Sequence, residues 1–112
     1  MNEGTQQRGV PTAVTSLASL AFLDLAQNDI ERLDDDVFER LTSLTALNLE
    51  RNALDDVSDD AFNGVNDTLS SLSLLNNVMT TFPTRALAQL TKIRVNSIPF
   101  NSFIHYIPIA GR

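Results

Sequence analysis

A chain of 112 residues with 43% apolar content is long enough for one folded domain and too apolar to be disordered throughout. Fourteen acidic residues against eight basic ones, Lys92 being the only lysine, leave a net charge of −6; this argues against nucleic acid as a ligand and favours a basic or neutral partner surface. Zero cysteines exclude disulfides, thiolate metal ligation and a thiol nucleophile.

Residues 1–13 are polar and rich in Gly and Gln, with no apolar run of the kind a signal peptide carries. They are expected to form a disordered tail. No stretch approaches the ~20 apolar residues of a bilayer span, so no direct membrane insertion is expected of this segment.

From Val14 onward the chain is dominated by self-similarity. The pattern Leu20-x-x-Leu23-x-Leu25-x-x-Asn28-x-Ile30 returns as Leu44, Leu47, Leu49, Asn52 and Leu54, and again as Leu69, Leu72, Leu74, Asn77 and Met79. The flanks repeat too, with Leu33, Val57 and Phe82 in one column. Phe38, Phe62 and Leu87 form the next, then Leu41, Val65 and Leu90, and Val14 and Leu17 lead into the last two columns. Leu23 and Leu25 are two apart, which puts them on one side of a strand but on different sides of a helix. Each repeat therefore contributes one short strand, near 22–26, 46–50, 71–75 and 95–99, and no copy can bury its leucines alone. An Asn amide offers both donor and acceptor. The column Asn28, Asn52, Asn77 and Asn101 is thus suited to pair the backbone groups that turn inside the stack.

These segments resemble leucine-rich repeats, in particular the 24-residue variety of extracellular receptors and adhesion proteins, with Phe38 and Phe62 on the returning segment. The resemblance covers residues 14–107, followed by a tail at 108–112. It implies an α/β-type solenoid, a short arc of about four coils. A parallel β-sheet would line its concave face, with irregular or short helical segments on the convex side.

The fourth copy has two registers. Keeping the period aligns Ile93, Asn96, Ile98 and Asn101 with the consensus, and preserves the Asn column and core sites at Phe103 and Tyr106. Shifting back by three aligns Leu90, Ile93, Val95 and Ile98 instead. The first is preferred. The run Ile98-Pro99-Phe100-Asn101 is similar to the start of the cysteine-bearing cap of extracellular members, but no cysteine follows. Unsealed ends point to a fragment of a longer protein and to self-association through those ends.

Strand residues between the inward leucines point out of the concave face: Phe22, Asp24 and Ala26; Ala46, Asn48 and Glu50; Ser71, Ser73 and Leu75; Val95, Ser97 and Pro99. Gln27, Arg51, Asn76 and Phe100 extend the strip. Phe22 and Leu75 are its expected apolar anchors for a protein ligand.

The acid runs Asp34–Asp36, Asp55–Asp56 and Asp59–Asp60 lack the spacing, central Gly and closing Glu of a calcium loop; they are expected to be solvated acids, with Arg85 falling beside Asp60. Asn66-Asp67-Thr68 is a glycosylation sequon in the turn before the third strand. His105, the only histidine, has no partner for catalysis or metal binding, and no phosphate-binding glycine motif occurs, so no enzyme activity, metal or cofactor is expected. The reading is a non-catalytic protein-recognition module of an extracellular or cell-surface protein. A cytoplasmic scaffold, or a recruitment module of a larger enzyme, is the alternative.

Overall fold

The computed structural model describes residues 8–101. The expectations for residues 1–7, Phe103, His105, Tyr106 and the 108–112 tail lie outside the described residues.

Among the described residues, six short strands carry the fold: β1 (Phe22–Asp24), β2 (Arg32–Leu33), β3 (Ala46–Asn48), β4 (Asp56–Val57), β5 (Ser71–Leu75) and β6 (Phe100–Asn101). One helical turn, α1 (Thr84–Leu87), and two 3-10 turns, Thr12–Val14 and Val95–Ser97, complete the regular structure of the described residues. Strands β1, β3, β5 and β6 lie side by side in that order, all parallel, while β2 and β4 form a second parallel pair. The register follows the sequence repeat: Leu23 faces Leu47 and Leu47 faces Leu72, with Phe22, Ala46 and Ser71 in the row before and Asp24, Asn48 and Ser73 in the row after.

The two-residue spacing of the leucines sets the inside of the sheet. Leu23, Leu25, Leu47, Leu49, Leu72 and Leu74 are all buried, whereas the residues between them are exposed or half-buried. On the returning segments, the Phe38 and Phe62 rings stack with centroids 6.0 Å apart. Both are essentially without solvent contact. Each repeat therefore covers the apolar side of its neighbour.

The chain leaves each strand through a residue in left-handed conformation: Gln27, Arg51 and Asn76 have φ of 60, 57 and 62°. None is glycine, so the bends at Gln27 and Arg51 each store roughly 1–2 kcal/mol of backbone strain, while Asn76 is a residue type that tolerates this region. The conformation extends the ladder past the strand, because the Gln27 N–H donates to the Glu50 carbonyl and the Arg51 N–H to the Leu75 carbonyl, each at 3.0 Å. Gly64, at φ +98°, meets a different constraint. A Cβ there would come within 2.4 Å of the Glu39 Cα in the preceding repeat, so only glycine allows that approach.

Two expectations need correction. Residues 8–13 are not a free tail. The Arg8 carbonyl accepts the N–H groups of Glu31 (2.6 Å) and Arg32 (3.2 Å), as the Glu31 carbonyl does those of Asp55 (3.0 Å) and Asp56 (3.4 Å) one repeat later. Val10 is consequently only 8% exposed, filling the column of Leu33, Val57 and Phe82. Burying that one valine against the first full repeat ties the segment down.

The fourth repeat adopts neither register considered. Residues 95–99 do not form a strand; Val95–Ser97 turn as a 3-10 element, and β6 begins at Phe100, which pairs with Leu74 while Asn101 pairs with Leu75. Asn101 therefore stands two places before the Asn column. Keeping the period would have put Asn96 in a leucine column. The observed register instead places Ile98 and Phe100 inward, both 2% exposed, with Phe100 edge-on to Phe82 at a centroid distance of 4.9 Å. It also makes Phe100 a core residue, contrary to its expected place on the concave strip.

Candidate interaction face

The bend after each strand is held from inside by asparagine. Asn52 Oδ1 accepts the backbone N–H groups of Asn28 (2.8 Å) and Ile30 (3.0 Å), while its Nδ2 donates to the carbonyls of Leu25 (2.9 Å) and Leu49 (3.1 Å). Asn77 holds the next bend in a similar way, accepting one N–H, that of Leu54, at 2.9 Å and donating to the carbonyls of Leu49 (3.0 Å) and Leu74 (2.9 Å). Asn28 differs. Its side chain is exposed and, among the described residues, donates only locally, to the Ala26 carbonyl at 3.0 Å.

A second column works on the outer side of the bend. Asp24 Oδ1 accepts the Ala26 N–H at 3.0 Å, Asn48 Oδ1 the Glu50 N–H at 2.9 Å, and Ser73 Oγ the Leu75 N–H at 3.4 Å. These are side-chain turns, in which a short polar residue satisfies the backbone two places on. Three residues expected only to meet a ligand thus also shape the strand exit. Their column of short side-chain acceptors, Asp, Asn and Ser, was the available signal.

Above this frame the outer face of the four-stranded sheet opens into a shallow hollow of about 330 Å³ lined by Phe22, Asp24, Asn48, Glu50, Ser71 and Ser73 among others. Phe22 is 73% exposed, the most exposed large apolar side chain described. Glu50 is tied across to the next strand, its Oε2 accepting the Ser73 hydroxyl at 2.8 Å. The hollow thus gathers Phe22, Asp24, Asn48, Glu50 and Ser73.

Other expected members lie off it. Ala26 and the bend residues Gln27, Arg51 and Asn76 stand beyond its edge, and Leu75 is half-buried rather than an exposed anchor. Ser97 is not on a strand at all: it ends the 3-10 turn, and its hydroxyl donates to the Arg94 carbonyl at 2.8 Å.

A larger depression of about 470 Å³ lies beside the segment read as a tail, lined by Gly9, Thr12, Arg32, Asp34, Asp36 and Arg40 among others. Sequence reasoning missed it because Val10 was not assigned to the repeat.

Asp34, Asp35, Asp36 and Asp59 make local polar side-chain contacts. Asp35 accepts the Ser58 hydroxyl, and Asp36 Oδ1 accepts Asn63 Nδ2 at 2.8 Å. Arg85 pairs with Asp59 at 3.7 Å rather than with Asp60, and both side chains are more than half exposed, so the pair contributes at most ~1 kcal/mol. Among the described residues no group of three or more His, Cys, Asp or Glu side chains is placed to hold a metal ion. No helix described is long and apolar enough to cross a membrane. In the sequon, the Asn66 carbonyl accepts the Thr91 N–H at 2.9 Å, and Asp67 Oδ1 the Thr91 hydroxyl at 2.9 Å.

A search of curated proteins returned no match. A family model described as leucine rich repeat matches residues 10–54 and again residues 44–101, so the two matches together span nearly the whole described chain. With its leucines on neighbouring parallel strands and its asparagines at the bends, the chain belongs to the leucine-rich repeat family.

Proposed function

We propose that this chain is a non-catalytic recognition module, an arc-shaped solenoid whose concave side is the outer face of the four-stranded sheet. Leucine-rich repeats generally mediate protein–protein interaction, and the observation that carries the reading here is Phe22. An aromatic side chain left 73% in water at the mouth of a hollow is the kind of anchor that a protein partner buries. The backbone turns of Asp24, Asn48 and Ser73 keep the rest of that face short, so a partner can approach the strands closely.

The setting proposed is the extracellular part of a receptor or adhesion protein. It is supported by the Phe38 and Phe62 repeat type and by the sequon at Asn66, whose side-chain amide makes no hydrogen bond among the described residues. A cytoplasmic scaffold is the second reading, favoured by the absence of cysteine. Self-association is a secondary property of the proposal, supported by the 45% exposure of Leu17.

The test is partner capture with the wild-type chain beside Phe22→Ala and Asn48→Arg, with Thr80→Arg as a control on an exposed position outside the sheet. The proposal expects the sheet-face changes to lose partners that the control keeps. Equal capture by all four proteins would overturn it.

A further inference from the structure

We propose that the hollow on the sheet face takes a cationic side chain, a lysine or arginine, presented by the protein partner. The inference rests on the proposed role of this face as the docking surface, and it names the chemistry of what docks.

The charge in the hollow is one-sided. Asp24 and Glu50 both line it, and among the described residues no Lys or Arg does. Arg51, one residue beyond Glu50, is not among the lining residues. Neither carboxylate pairs with a cation among the described residues. Each spends one oxygen inside the chain, Asp24 Oδ1 on the Ala26 N–H and Glu50 Oε2 on the Ser73 hydroxyl, which leaves Asp24 Oδ2 and Glu50 Oε1 for an incoming donor. Those internal bonds also fix where the free oxygens sit. A cation arriving there finds acceptors already oriented.

The apolar component has the matching shape. Phe22 stands on β1 two residues before Asp24, and its exposed ring can cover the methylene stem of a lysine or stack on a guanidinium. At about 330 Å³ the hollow is at the small end of ligand sites, a size for one long side chain rather than a bulky ligand. Asn48, Ser71 and Ser73 add neutral acceptors to its lining, while an anionic side chain would meet two carboxylates with no compensating cation among the described residues. The chain's net charge of −6 adds a general attraction for a basic partner.

The test is a displayed random-peptide library panned on the immobilised full chain, followed by affinity measurement with a synthetic copy of an enriched peptide. Asp24→Asn and Glu50→Gln remove charge but keep the oxygen that accepts the internal bond; Asn48 already makes the equivalent turn in the next repeat. Enriched peptides should carry Lys or Arg. Their affinity should fall about tenfold in the Asp24→Asn/Glu50→Gln double variant, and also when the peptide's cationic residue becomes methionine or the salt is raised. Peptides that need Phe22 yet ignore both isosteric changes would overturn the cationic assignment and leave the docking face standing. Peptides indifferent to Phe22→Ala as well, or no enrichment at all, would overturn both.

Discussion

Asn52 reaches back across one repeat to Asn28, its Oδ1 accepting the Asn28 backbone N–H at 2.8 Å. The same oxygen takes the Ile30 N–H, and the amide nitrogen is shared between the carbonyls of Leu25 and Leu49, so one side chain links two consecutive bends. Asn28 receives that contact but makes none like it, since its own side chain is exposed. Two residues identical in the sequence pattern are therefore unequal in energy.

Asn52→Ala leaves several backbone groups inside the stack without partners, each of which costs about 1–3 kcal/mol. We expect a loss of about 3 kcal/mol in urea unfolding, a similar loss for Asn77→Ala, and less than about 1 kcal/mol for Asn28→Ala. Asn52→Asp should resemble Asn52→Ala, because an ionised carboxylate cannot donate to Leu25 and Leu49. Equal losses at Asn28 and Asn52 would contradict the assignment.

Gly64→Ala should destabilise by more than about 2 kcal/mol, since it combines a left-handed backbone with a Cβ driven into the Glu39 backbone. Gly9→Ala is the comparison. A Cβ at Gly9 meets only side-chain atoms, at 3.8 and 4.0 Å, so thermal unfolding of that variant should stay close to wild type.

Phe62→Ala should cost roughly 3–5 kcal/mol by opening a cavity against Phe38. The two rings touch, so the double variant Phe38→Ala/Phe62→Ala should lose less than the two single losses added together. Strict additivity in a double-mutant cycle would mean that the rings do not pack on each other.

Val10→Ala tests the placement of the N-terminal segment. A valine 8% exposed against the first full repeat should lose about 1–2 kcal/mol on truncation. A residue in a free tail would lose nothing.

The middle of the molecule was legible because its signal is redundant. Leu23, Leu47 and Leu72 each sit in a full copy of the pattern, so every column is seen three times. The ends carry half-copies. Val10 has no leucine pair around it, and its place in the Leu33 column rests on spacing alone. At the other end the fourth copy offers two registers, and the period favours the one in which Asn101 keeps its column. The packing of Phe100 on Phe82 outweighs that single amide. The exposed strip was legible for Phe22, Asp24, Asn48, Glu50 and Ser73, whose alternation is fixed by the strands. It failed for Ser97 and Phe100, because a register change turns outward positions inward.

One relationship underlies all the others: Ala46 on β3 and Ser71 on β5 are direct neighbours in a parallel pair, one repeat apart. The chain has no native cysteine, so a pair can be introduced cleanly. Neighbouring strands lie about 4.8 Å apart, within reach of a disulfide, whereas a partner two residues further along is roughly 8 Å away and is not. Intact-mass measurement after mild oxidation should show an intramolecular disulfide in Ala46→Cys/Ser71→Cys and almost none in Ala46→Cys/Ser73→Cys. Equal oxidation of the two variants, or a disulfide in the second alone, would contradict the stacked register.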